Sequence, residues 1–127
     1  MTFAEAQAAL EQCWNSFPDS AQLRSPSQRA LFDVLKRDSA TMEVTTTGQT
    51  RIDIPRSALD GALAYLTAGG HTKDNPCEIR NKYHAPGPLA QATAVNGTQT
   101  IHYVLPILQQ MGLVGIHSGV PNTAWVR

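Results

Sequence analysis

The chain has 127 residues, with ten Lys and Arg side chains, ten Asp and Glu side chains and 42% hydrophobic residues. This length predicts one domain with a hydrophobic core of its own. The zero net charge excludes a strongly basic nucleic-acid-binding tail and a polybasic membrane binder, and no apolar run is long enough to span a membrane. Two widely separated cysteines and an N-terminus without the pattern of a secretory signal predict a reduced, cytoplasmic protein.

The first predicted element is a helix. Thr2 and Glu5 have the spacing of a capping box, in which each side chain accepts a backbone N–H of the other residue. Leu10 and Trp14 then fall on one face at helical spacing, and Pro18 ends the helix.

A second helix is predicted to start at Ser25. Pro26 suits the first helical position, and Gln28 completes the capping pattern. Lys36 and Arg37 would lie in the last turn of this helix, where positive charge interacts favourably with the helix dipole.

A β-hairpin and a third helix follow. Residues 42–54 contain two alternating, β-branched runs, which predict the two strands of the hairpin. Leu59, Leu63 and Leu66 form a helical apolar stripe, so a third helix is predicted over residues 57–68.

The rest of the chain is predicted to contain three more helices and a second hairpin. The short helices cover residues 76–82 and 89–95, and a longer helix covers residues 98–111 with Pro106 inside it. The hairpin follows, with a loop over residues 118–122.

The predicted C-terminal part thus consists of a short helix, a turn, a helix with one apolar face, a glycine stop and a hairpin. The residues that carry this pattern are Leu89, Ala90, Thr100, Ile101, Leu105, Leu108, Gly112, Leu113 and Val114. With these residues the segment resembles the winged helix-turn-helix superfamily, in which Trp125 on the last strand would close the core.

The resemblance implies an α+β fold that is mainly helical. Residues 57–127 would form a C-terminal winged helix-turn-helix domain. Residues 1–56 would form an N-terminal extension, made of a helical pair and the β-hairpin, that packs on this domain as one unit.

The resemblance also implies that the helix over residues 98–111 enters the major groove of double-stranded DNA. Its early side chains would face base edges, where Gln can bond adenine and Thr can contact thymine. These side chains are Thr98, Gln99, Thr100, His102 and Tyr103. For Thr98 and Gln99, the simpler roles of N-cap and solvated helix former remain open.

Phosphate contacts would come from the segment before the helix predicted over residues 89–95, from the tip of the C-terminal hairpin and from the residue at the end of that hairpin. The predicted residues are Arg80, Lys82, His84, His117, Ser118, Asn122 and Arg127. All acidic residues lie within residues 1–78, whereas residues 79–127 contain none. This pattern indicates either low charge density alone or a surface without groups that repel phosphate.

No other site is predicted. The His and Cys spacings do not match a zinc site, and the chain lacks a phosphate-binding loop and a catalytic constellation, so we expect no cofactor, no metal and no enzymatic activity. The sequence predicts a DNA-binding specificity or regulatory module, acting as a homodimer or within a larger DNA-processing or restriction protein. The alternative is a protein–protein adaptor, because the helix over residues 98–111 contains no Lys or Arg.

Overall fold

The computed structural model describes residues 1–79, 81–82, 85–86, 89, 93–94, 100–119 and 122–127. The helices in this part of the chain are α1 (Phe3–Ser16), α2 (Arg56–Ala68) and α3 (Ile101–Gln110). The strands are β1 (Ser20–Arg24), β2 (Leu31–Lys36), β3 (Thr41–Thr46), β4 (Arg51–Pro55), β5 (Cys77–Glu78), β6 (Asn81–Lys82), β7 (Ala85–Pro86), β8 (Val114–His117) and β9 (Thr123–Val126).

The prediction of a mainly helical fold is wrong, because the described residues form a mixed α and β structure. Strands β1 to β4 form an antiparallel four-stranded sheet in chain order, and a second antiparallel sheet has the order β5-β9-β8. Strands β6 and β7 pair with each other in a two-stranded antiparallel sheet. The N-terminal part therefore contains one helix and a sheet instead of the predicted helical pair and hairpin.

The prediction of a second helix from Ser25 is wrong, because this segment forms the loop and the second strand of the β1–β2 hairpin. The Gln28 N–H donates to the Ser25 carbonyl at 2.8 Å and closes a turn, and the Ser25 N–H donates to the Ala30 carbonyl at 2.8 Å. Serine followed by proline begins a β-turn as well as a helix. Phe32 and Val34 then point into the core at the spacing of a strand, while their neighbours are more exposed.

Helix α1 begins as predicted. The Thr2 hydroxyl accepts the Glu5 N–H at 3.1 Å, and the Glu5 carboxylate accepts the Thr2 N–H at 3.1 Å. The hydrogen bond from the Thr2 N–H lowers the pKa of the Glu5 carboxyl. The capping box predicted from the sequence is thus confirmed.

The predicted hairpin over residues 42–54 and the third predicted helix are confirmed as β3–β4 and α2. Helix α2 buries the predicted stripe of Leu59, Leu63 and Leu66. It contacts α1, β4, α3 and β9. Its N-cap residue is Pro55, and no side chain makes a capping hydrogen bond there.

One cluster of buried side chains contains residues of both the predicted N-terminal extension, residues 1–56, and the predicted C-terminal domain, residues 57–127. It contains Trp14 and Val44 from the first part, and Leu63 and Leu105 from the second. The two predicted parts therefore share their core.

The short helix predicted over residues 76–82 is wrong where the structure describes these residues. Cys77 and Glu78 form strand β5, which pairs with Ala124 and Thr123 of β9. Asparagine followed by proline at residues 75–76 resembles a helix start, but the pairing with β9 decides the local structure.

The C-terminal hairpin has the predicted bounds, with β8 and β9 on either side of residues 118–122. Helix α3 begins at Ile101 instead of residue 98, continues through Pro106 and is followed by Gly112 with a φ of +79°. The predicted glycine stop is therefore confirmed, and Gly112 takes a left-handed conformation that favours glycine. Of the short helix predicted over residues 89–95, most lies outside the described residues.

Trp125 does not close the core as predicted. Ala124 and Val126 of β9 are buried instead, and strand alternation places Trp125 on the opposite face. There its indole lies over Gly115 of the neighbouring strand, with which it is paired in register.

Within the described residues, no helix combines the length and the apolar character that crossing a bilayer requires.

Candidate nucleic-acid interface

The predicted DNA contacts fall into three groups in the structure. Arg80, His84, Thr98 and Gln99 lie outside the described residues, and Lys82 lies in strand β6. Thr100, His102 and Tyr103 lie at the start of α3. His117, Ser118, Asn122 and Arg127 lie in or beside the β8–β9 hairpin.

Thr100 is the N-cap residue of α3, and its side chain is buried. Only 1% of the residue is exposed, and its hydroxyl donates to the Thr93 carbonyl at 2.8 Å. Its carbonyl accepts the Val104 N–H at 3.0 Å, as the first turn of a helix requires. Thr100 therefore anchors the start of α3 to the preceding turn and does not present its hydroxyl at the surface.

His102 is half-buried in the first turn of α3. Burial lowers the pKa of its imidazole, because the charged form loses hydration. His102 is therefore neutral at pH 7 and contributes no positive charge to this surface.

Tyr103 joins α3 to the large sheet. Its ring packs edge-to-face against Phe32 of β2, with the ring centroids 5.2 Å apart and the planes at 84°. This is a favoured geometry for two aromatic rings. The ring of Tyr103 thus has a packing role that the sequence analysis did not predict.

Helix α3 is a core helix for most of its length. Its buried residues are Ile101, Val104, Leu105, Pro106, Ile107 and Leu108, and its exposed residues are Gln109 and Gln110. A DNA groove could therefore contact this helix at its ends, but not along its middle.

The tip of the β8–β9 hairpin is exposed and held in place by two hydrogen bonds. His117 and Ser118 are exposed, and the Asn122 side-chain oxygen accepts the Gly119 N–H at 2.9 Å. The Ser118 hydroxyl donates to the carbonyl of Pro26 in the β1–β2 loop. The tip is therefore fixed against the N-terminal sheet.

Arg127 lies at the other end of this hairpin. Its backbone N–H donates to the Leu113 carbonyl at 2.9 Å, and its side chain is exposed. Four strand residues separate this end from the tip, which corresponds to about 13 Å at ~3.3 Å per residue. The structure thus places Arg127 and Ser118 on one hairpin but not in one small site.

The contact of Ser118 with Pro26 places Arg29, which the sequence analysis missed, beside the hairpin tip. A surface cleft of about 450 Å³ lies between the two loops, lined by Ser27, Arg29, Ser118, Gly119 and Asn122. The helix predicted from Ser25 to Arg37 gives no reason to place Arg29 near the hairpin tip. Polar residues between two alternating apolar runs were the available signal for a hairpin loop.

The two cysteines lie apart in the fold. The Cys13 thiol donates to the Met111 carbonyl at 3.4 Å, whereas Cys77 is buried in β5. Burial raises the pKa of the Cys77 thiol, which keeps it protonated and a poor nucleophile. The described residues contain no group of three or more His, Cys, Asp and Glu side chains that could hold a metal ion.

Comparison with protein-family models, with curated proteins and with solved structures gave no match for this chain. The function is therefore inferred from the chain's own residues.

Proposed function

We propose that this protein binds double-stranded DNA through the β8–β9 hairpin and the surface around it. The observation that carries this proposal is the charge distribution around the hairpin. Residues 79–127 contain no Asp or Glu, and the hairpin tip lies beside Arg29; the acidic residue in the adjoining strand β5 is Glu78, which pairs with Thr123. A surface of this kind attracts the phosphate backbone, which dominates the affinity of most DNA-binding proteins.

The resemblance of residues 89–126 to the winged helix-turn-helix superfamily supports the same proposal. In this arrangement the hairpin contacts the backbone, and base contacts come from the N-terminal side of α3, where Thr98 and Gln99 lie in sequence. The buried Thr100 has a structural role in place of the predicted base contact, and Tyr103 packs against Phe32.

Few cations are available for such contacts, so the affinity is modest. About three to four phosphate contacts correspond to a slope of roughly −3 in a plot of log affinity against log salt, at −0.9 per contact. A homodimer, or further domains of a larger protein, would add contacts and raise the affinity through multivalency.

The adaptor alternative requires an apolar docking surface on the same face. Among the described residues, the large hydrophobic side chains that are exposed are Met1 and Leu35, and neither lies in the C-terminal half. The described surface therefore favours DNA over a protein partner.

A direct titration tests the proposal. A fluorescently labelled duplex of mixed sequence is titrated with the protein at about 50 mM and about 200 mM salt, a range over which phosphate contacts change affinity steeply. We expect saturable binding at the lower salt concentration and a clear loss at the higher one. Absence of binding at the lower concentration would exclude this function for the chain.

A further inference from the structure

A polar cleft lies where the β1–β2 loop meets the tip of the β8–β9 hairpin. Its volume is about 450 Å³, and the described residues that line it, none of them acidic, are Ser27, Arg29, Ser118, Gly119 and Asn122. The hydrogen bond from the Ser118 hydroxyl to the Pro26 carbonyl fixes the two loops relative to each other. The cleft is thus built from two parts of the chain that are far apart in sequence.

Arg29 supplies the positive charge of this cleft. Its side chain is exposed, and it forms no ion pair with any residue that the structure describes. A guanidinium group offers five N–H donors in a planar arrangement that matches two oxygens of a phosphate. An arginine without an acidic partner can bind such a group without first breaking an ion pair.

The neighbouring side chains offer further donors. The Ser25 hydroxyl oxygen accepts the Ala30 N–H at 3.2 Å and lies 3.2 Å from the Ser27 hydroxyl oxygen. When the Ser25 hydroxyl donates to Ser27, the Ser27 O–H stays available as a donor.

Asn122 is oriented by the hairpin tip. Its side-chain oxygen accepts the Gly119 N–H at 2.9 Å, and its NH₂ group has no partner among the described residues. This amide nitrogen is therefore a second available donor at the cleft. Arg29, Ser27 and Asn122 thus each offer a donor to an oxyanion in the cleft.

We infer that this cleft binds a phosphate group, with Arg29 as the principal ligand and Ser27 and Asn122 as additional donors. Here we build on the proposed DNA-binding function, in which the phosphate belongs to the DNA backbone. Free inorganic phosphate presents the same chemistry, so the test includes both sources.

The first arm of the test uses DNA. Duplex affinity is measured from about 50 to about 200 mM salt for the wild type, Arg29→Met, Arg29→Lys and the control Arg37→Met. Arg37 is a suitable control because it lies just beyond the other end of β2 and changes the net charge equally, while its guanidinium is engaged by the Glu43 carboxylate at 3.1 Å. Circular dichroism checks that each variant is folded.

The wild type and Arg29→Met should differ in the salt dependence itself. Arg29→Met loses one phosphate contact, which makes the slope of log affinity against log salt shallower by about 0.9. Arg37→Met should leave this slope unchanged. Arg29→Lys keeps the charge and hence the slope, but binds more weakly because it loses the two-pronged contact. Equal slopes for Arg29→Met and Arg37→Met would overturn the cleft as a contact of the DNA backbone.

The second arm uses inorganic phosphate alone. We expect a saturable change in the NMR signals of the Arg29 Nε–H and the Gly119 N–H of the wild type, and no such change at Gly119 in Arg29→Met. Phosphate binding without DNA binding would support the cleft and contradict the proposed function. If the protein binds DNA but Arg29→Met alters neither the salt slope nor the response to phosphate, the proposed function is supported and the phosphate site in the cleft is contradicted.

Discussion

Lys36 determines how helix α1 ends. Its ammonium group donates to the carbonyls of Trp14 at 3.2 Å, Asn15 at 3.4 Å and Phe17 at 2.7 Å. These carbonyls lie at the C-terminal end of α1, where the helix leaves acceptors unpaired and carries partial negative charge. The sequence analysis placed Lys36 at the end of its own predicted helix, but it stabilises the end of another.

Replacing Lys36 with methionine should therefore destabilise the fold. We expect a loss of about 1–2 kcal/mol in the free energy of unfolding, because hydrogen bonds from a charged group to the helix end are lost. Urea denaturation measures this loss. Lys73→Met is the control, since Lys73 is exposed in a loop and its loss should cost no more than about 0.5 kcal/mol. Equal losses for the two variants would contradict the capping role.

The half-buried His102 makes stability depend on pH. Its pKa in the folded state lies below the ordinary value for histidine, because burial disfavours the charged imidazole. The unfolded chain therefore takes up a proton at a higher pH than the folded chain does. Stability is fully present above the unfolded pKa and falls as the pH decreases through it, until the folded state is protonated too.

The comparison of wild type with His102→Gln isolates this effect. The free energy of unfolding of the wild type should fall more steeply than that of the variant as the pH decreases from about 7 to about 5. Urea denaturation at several pH values provides the measurement. Parallel pH profiles for the two proteins would show that His102 is hydrated in the folded state.

At the scale of elements, the β8–β9 hairpin depends on a glycine opposite a tryptophan. A Cβ atom added at Gly115 would lie 2.3 Å from the nearest atom of the Trp125 indole, which is too close for two carbon atoms. Gly115 therefore allows the indole to cover the backbone of β8. A side chain at this position forces Trp125 away from the hairpin.

Gly115→Ala should accordingly lower stability by about 1–3 kcal/mol, the usual cost of overpacking. In a Trp14→Phe background, the fluorescence of Trp125 should also shift to longer wavelength as the indole becomes more exposed. Gly48→Ala is the matched control, because the nearest atom to its added Cβ is 3.8 Å away. An unshifted emission spectrum for Gly115→Ala would contradict the packing of Trp125 on β8.

The sequence predicted elements well where local signals and packing agree. The capping box of α1, the leucine stripe of α2 and the glycine after α3 are all local patterns, and each has the predicted role. The prediction failed for residues 31–36 because their apolar side chains fit both the helical and the strand spacing. Leu31, Val34 and Leu35 fit a helix, whereas Phe32 and Val34 fit a strand. Pairing with β1 and β3 decides between them, and this pairing is not local.

The candidate site was only partly predictable for the same reason. The sequence analysis placed Ser118 and Asn122 in the loop between the last two strands, where the structure has them. Arg29 reaches the same site only because the β1–β2 loop contacts the hairpin tip across the fold. No pattern near Arg29 in sequence indicates this contact.

At the scale of the whole molecule, the large sheet and the C-terminal hairpin are held on one core. Helix α2 contacts α1 and β4 on one side and α3 and β9 on the other. The described surfaces differ in their acidic side chains, since the outer face of the sheet carries Asp33, Glu43 and Asp53 beside Arg24 and Arg51, whereas the hairpin carries no Asp or Glu. DNA should therefore bind on the hairpin side of the molecule.

Mapping the DNA-binding surface by NMR tests this account most directly. Backbone amide signals are followed while an unlabelled duplex is added at about 50 mM salt, where phosphate contacts are strong. The largest changes should occur at His117, Ser118 and Gly119 of the hairpin tip and at Ser27 and Arg29 of the β1–β2 loop. Changes confined to the outer face of the β1–β4 sheet, or no changes at any residue, would contradict it.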